Sequence, residues 1–95
     1  MIKGFGDAAT EDLYNGLDTA RSRRFAAIAR AAIRKLDILA AAVKLSDLRI
    51  PSGNRLEALK GDLKGYHSMR INEQWRVVFR WSDGDAYDVR VEDYH

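Results

Sequence analysis

The hydrophobic period of this chain changes once, across its only proline, Pro51. Before that residue, Phe25, Ile28, Ala32, Leu36, Leu39 and Val43 recur at steps of three and four. That spacing puts their side chains on one stripe of a long α-helix, widened by Ala29 and Ile33. After it, Trp75, Val77, Phe79 and Trp81 alternate with Arg76, Val78 and Arg80, the two-residue period of a strand with one apolar face. Helices first and strands after them predict an α+β fold, with N-terminal helices packed on one face of a roughly four-stranded antiparallel sheet.

The remaining elements follow from local chemistry. Residues 2–5 form a candidate short strand, and Asp7 is placed to cap a helix running to about Tyr14, which Asn15-Gly16 then stops. Residues 46–48 read as a turn, and Pro51-Ser52-Gly53-Asn54 as a break. Short strands are expected over residues 56–59 and 66–71, the second with Met69 and Ile71 inward. Asn72-Glu73-Gln74 should turn the chain into the Trp75 strand. Ser82-Asp83-Gly84-Asp85 carries the Asp-Gly pair that favours positive φ, and residues 86–92 return as the last strand with Tyr87, Val89 and Val91 inward.

A length of 95 residues leaves room for one core, so residues 1–95 are read as a single domain. The absence of cysteine excludes a disulfide framework and thiolate metal sites, and fits a reducing compartment. The longest apolar run, residues 38–43, is far short of the roughly 20 residues of a membrane helix, and the first residues hold no signal-peptide core. A cytoplasmic protein without membrane contact is the expectation. The net charge of +2 and a pI near 9.1 lean towards a polyanionic partner. Residues 51–95, however, hold seven Lys/Arg against eight Asp/Glu, so basic groups there must be sorted in space to face RNA.

No metal or cofactor is expected. His67 and His95 are not closely spaced, Asp83-Gly84-Asp85-Ala86-Tyr87-Asp88 misses the spacing of a calcium loop, and the glycines around Lys60 miss that of a nucleotide loop. What remains is basic and aromatic. Cutting RNA without a metal requires a deprotonated, aligned 2′-OH, a stabilised phosphorane and a proton for the departing 5′-oxygen. Arg76, on the non-core face of its strand, presents a fork of donors suited to equatorial phosphate oxygens, or else simply solvates the sheet. Lys60 fits a phosphate contact or a solvated loop. His95 fits proton transfer near neutral pH or a plain terminus. Tyr94 fits base stacking or an anchor for the chain end, and Asp93 fits orientation of a neighbouring cation.

Three segments narrow these choices. Asn54-Arg55-Leu56-Glu57-Ala58-Leu59-Lys60-Gly61-Asp62, Ser68-Met69-Arg70-Ile71-Asn72-Glu73-Gln74-Trp75-Arg76, and Gly84-Asp85-Ala86-Tyr87 with Glu92-Asp93-Tyr94-His95 resemble the HigB-type killer toxins of the RelE/ParE superfamily, nearly collinearly over residues 2–95. The resemblance implies a RelE-like fold and a type II toxin that cleaves translated mRNA in the ribosomal A site without a metal. It also implies a HigA-like helix-turn-helix antitoxin as partner, with operator DNA bound only through the toxin–antitoxin complex. Lys60, Arg76, Asp93, Tyr94 and His95 are the catalytic residues it implies. Arg55, Lys64 and Arg70 are candidates for further RNA contacts. A histidine that many members carry ahead of the Leu-Lys-Gly-Asp segment is Glu57 here, and a carboxylate can accept a proton but cannot supply a cation. A non-catalytic regulator that binds RNA or the ribosome is the alternative reading.

Overall fold

Asp7 starts the first helix as its chemistry predicts. The computed structural model describes residues 1–93. In it Asp7 is extended, and its carboxylate accepts a hydrogen bond from Thr10 N at 2.7 Å. Helix α1 (Ala8–Tyr14) follows and ends at Asn15, with Gly16 at φ +75°. The expected long helix is shorter than its stripe. Ser22–Ile28 winds as a 3₁₀ segment, Ile28 breaks helical geometry at φ −120°, and only then does α2 (Ala29–Ala41) begin. Phe25 still reaches the core from the 3₁₀ segment and is fully buried. Val43 does not. Ala42 is already extended, and the Asp47 carboxylate accepts from the backbone N–H groups of Val43 and Lys44 at 3.0 and 2.9 Å. The chain therefore turns away, leaving Val43 74% exposed. Among the described residues no helix is long and apolar enough to cross a membrane.

Four strands follow: β1 (Glu57–Ala58), β2 (Tyr66–Arg70), β3 (Trp75–Ser82) and β4 (Asp85–Asp93). They pair antiparallel in the order β1-β2-β3-β4. The Asn72 side chain makes the β2–β3 turn by accepting from Gln74 N and Trp75 N, both at 2.8 Å. Asp83 and Gly84 adopt φ +50° and +82° at the β3–β4 hairpin, as the Asp-Gly pair foretells. One strand assignment needs correction. A bulge near Asp88, itself at φ +52°, shifts the β3–β4 register, so Tyr87 lies opposite Arg80 instead of facing the core. Ala86 takes the inward place, fully buried with Val89 and Val91.

The N-terminal residues protect the edge of β4. Instead of a full strand they form two isolated parallel bridges, Ile2↔Ala86 and Phe5↔Val89, with Lys3 N donating to Ala86 O at 2.8 Å and Gly6 N to Val89 O at 2.9 Å. Farther along, buried Thr10 Oγ1 accepts from Val91 N at 2.9 Å, so α1 satisfies a donor that no strand reaches.

The core lies between the helices and one sheet face. Phe25, Leu36, Leu39 and Leu48 meet Met69, Val77, Phe79, Val89 and Val91 there, all fully buried. Each such side chain contributes about 1.5–3 kcal/mol over its exposed state. The opposite face carries Arg70, Arg76, Arg80, Arg90 and Glu92 around a strip where Glu57, Ser68, Val78 and Arg90 align in register. The helices do not build their core on this outer face, which is where the candidate site forms.

Candidate functional site

Arg70 and Arg76 occupy directly opposed positions on β2 and β3. Like charges in that relation are destabilising, so the fold places them together at a cost. Carboxylates offset part of it. Glu92 is the β4 partner of Arg76 and also pairs with Arg90 Nη1 at 3.4 Å. Beyond the open end of this pair, Arg55 closes a cleft of about 220 Å³ lined also by Glu57, Asn72, Glu73 and Trp75. Three guanidiniums, which are permanent cations, face two carboxylates in this space.

Each wall is held by its own local structure. Arg55 sits in the left-handed region at φ 45°, ψ 57°, a conformation that costs a non-glycine residue free energy. The fully buried Asn54 side chain fixes it from the preceding position, donating to Leu48 O at 3.1 Å and to Ile50 O at 3.4 Å and accepting from Lys35 Nζ on α2. Burial of Lys35 lowers its pKa, with neighbouring Arg34 adding to the shift. Asn72 and Glu73 come from the β2–β3 turn. Trp75 belongs to the strand start, with its ring edge-on to Phe25 at 5.5 Å, anchoring that end of the sheet to the core.

Of the residues singled out from sequence, Arg55, Arg70 and Arg76 converge on one cleft, and Glu57 joins them. Lys60 and Lys64 flank the Gly61–Leu63 turn just after β1, exposed and outside the cleft lining. Asp93 lies opposite Trp75, one position past the Arg76↔Glu92 pair, and its carboxylate accepts from Gln74 Nε2 at 3.1 Å. It lines a separate depression with Asp7, Arg24, Trp75, Val91 and Glu92. Tyr94 and His95 lie outside the described residues. The sequence marks Asn72 and Glu73 only as turn formers. Their place in the cleft follows from the short connection that sets Arg70 against Arg76.

His67 belongs elsewhere. Its ring stacks on Phe79 at 6.0 Å and 22°, its Nδ1 is buried with no hydrogen-bond partner among the described residues, and burial lowers its pKa below the ordinary histidine value. It is a half-buried ring at the core margin.

A helix-backed sheet with an open, cation-rich outer face defines a small domain suited to bind an anion such as a phosphodiester. Comparison with known proteins makes the class specific. Residues 3–95 match the family model for the HigB-like toxins, described as RelE-like toxins of type II toxin-antitoxin systems. The chain is 45% identical over 93 residues to Toxin HigB-1 of Vibrio cholerae serotype O1, covering 97% of this chain and 96% of that one. It is 46% identical over 41 residues to Endoribonuclease HigB of Proteus vulgaris, covering 43% and 45%. Its fold resembles the Staphylococcus aureus YoeB-YefM toxin-antitoxin complex, with a TM-score of 0.62 at 20% identity and coverage of 100% and 98%. The chain belongs to the HigB-like toxins of the RelE/ParE superfamily.

Proposed function

We propose that this toxin is a ribosome-dependent endoribonuclease that cleaves translated mRNA without a metal. The observation that carries this reading is the convergence of Arg55, Arg70 and Arg76 on one cleft of the outer sheet face. A pentavalent phosphorane gathers negative charge on its equatorial oxygens, and fixed guanidiniums stabilise that charge as it develops. Arg76 is the principal ligand in this scheme and Arg70 its neighbour. Lys60 is the second cation proposed for the scissile phosphate, and Arg55 and Lys64 hold flanking phosphates.

The chemistry needs two proton movements. The 2′-OH loses its proton and attacks phosphorus, and the 5′-oxygen leaves with a proton, giving a cyclic phosphate and a 5′-hydroxyl. His95 is the residue proposed to carry protons, Asp93 organises the chain end, and Tyr94 stacks on or orients the nucleotide. The ribosome supplies the alignment that one arginine-rich cleft cannot. A helix-turn-helix antitoxin of the HigA kind is the proposed partner, reaching operator DNA through the complex, and the cytoplasm is the proposed compartment.

Glu57 supports a second reading. Its carboxylate lines the cleft at the β1 edge and opposes a bound phosphate, as a toxin that binds the ribosome without cutting would tolerate. Mapping the 5′ ends of message on translating ribosomes separates the two. Discrete cuts with wild type that disappear with Arg76→Ala and His95→Ala support cleavage. Growth arrest with intact message, or equal cutting by all three proteins, removes the proposed site.

A further inference from the structure

The outer face of the sheet extends beyond the arginine cleft, and its far end has a different chemistry. Arg80 lies four residues along β3 from Arg76, about 13 Å at the rise of a strand. Its guanidinium carbon sits 4.9 Å from the centre of the Tyr87 ring. Arg90 lies between the two ends, its guanidinium 5.7 Å from the ring of Tyr66. The side chain of Arg80 is 46% exposed.

Tyr87 stands there because of the bulge. Unbroken alternation from Val89 and Val91 would turn it inward, and the positive φ of Asp88 turns it out against Arg80. Strained residues at bulges are often found where a side chain is re-aimed for use. Gly6 makes room for the same cluster: a Cβ there would stand 2.9 Å from Asp88 O and closer still to Arg90 Cγ. The carboxylate of Asp88 accepts from Tyr66 Oη at 2.9 Å and lies 4.0 Å from Arg80 Nε. That negative charge disfavours a bare phosphate. It does not disfavour a base, which stacks on flat guanidinium and aromatic surfaces.

We infer that Arg80, Tyr87 and Tyr66 form a base-stacking subsite for single-stranded RNA, a few nucleotides from the phosphate held at Arg76. The subsite extends the proposed RNA-cleaving role, on which its orientation relative to the cut rests. It explains why aromatic rings and arginines alternate on a sheet face that the helices leave open.

Its test reads binding alone. Purified wild type, Arg80→Ala, Tyr87→Ala and Tyr87→Phe are titrated against a short fluorescent single-stranded RNA and against the same strand in a duplex. Arg80→Ala and Tyr87→Ala should each weaken single-strand binding roughly tenfold, and Tyr87→Phe, which keeps the ring, should stay within about twofold. Duplex binding should be insensitive to all three, because its bases are not free to stack. Unchanged single-strand affinity in Arg80→Ala overturns the inference, and this exposed side chain decides the matter even if Tyr87→Ala fails to fold. Equal losses on single strand and duplex also overturn it, since they indicate a phosphate contact. On ribosomes, weaker binding to empty particles identifies unpaired ribosomal RNA as the occupant, and weaker retention of message alone identifies mRNA. If wild type cuts nothing on ribosomes, the cleavage reading fails while the RNA titration still decides the subsite.

Discussion

Arg70 shows how a charge placed in a cleft weakens the fold that carries it. Across from Arg76 it contributes repulsion in the isolated protein, and an anion in the cleft reverses the sign of that contribution. Arg70→Gln is therefore expected to raise stability to urea unfolding by about 0.2–1 kcal/mol while lowering mRNA cleavage. A lower stability would show that the pair is structural. His67 makes a second prediction at this scale. Its folded pKa lies below its unfolded value near 6.5, so the unfolded chain binds the extra proton first. The stability it contributes is complete above about pH 6.5 and falls as pH drops towards the folded pKa. Denaturation midpoints of wild type should decline over that window, and those of His67→Phe should decline less. The sequence displayed Arg76 through strand alternation, and the family motif drew attention to Arg55 and Lys60. It did not disclose that Arg55 would enter the cleft from a left-handed backbone, because that conformation follows a buried Asn54 whose partners lie four and six residues back.

Elements were legible where local chemistry and burial agree. Asp7 capped its helix, Asp83-Gly84 turned its hairpin, and β3 put Val77 and Phe79 into the core as its alternation predicts, although Val78 on the other face is buried too. The errors lie where tertiary contacts override the pattern. Val43 continued the helical stripe but lost its place when Asp47 took up the local N–H groups, and Tyr87 was turned out by one bulged residue. Thr10 illustrates a contact that periodicity cannot reveal, since it joins α1 to a strand 81 residues away. Thr10→Val keeps the shape and strands the buried Val91 N–H, which should cost about 1–3 kcal/mol in chemical denaturation. A loss below a few tenths would mean that another acceptor fills the gap. Asn54→Ala removes the tie between α2 and the Arg55 wall. It should destabilise the protein by a similar amount, about 1–3 kcal/mol, and reduce RNA affinity. Its recovery by Asn54→Asp should be incomplete because the two carbonyls lose their donor.

At the scale of the whole molecule, the two sheet faces divide the work. One carries the apolar core and fixes register, and that register sets out charge and aromatic rings on the other. The compositional near-balance of residues 51–95 concealed this sorting, because an average over the chain cannot distinguish the faces of a sheet. If the cleft around Arg76 is where RNA is cut, the chemical step must depend on that guanidinium. Single-turnover cleavage of message on programmed ribosomes by wild type, Arg76→Ala and the distant helix variant Arg34→Ala tests this most directly. A rate loss of about 10²–10³ is predicted for Arg76→Ala, the scale of losing one fixed transition-state contact, with Arg34→Ala close to wild type. An Arg76→Ala rate within a few-fold of wild type would contradict it.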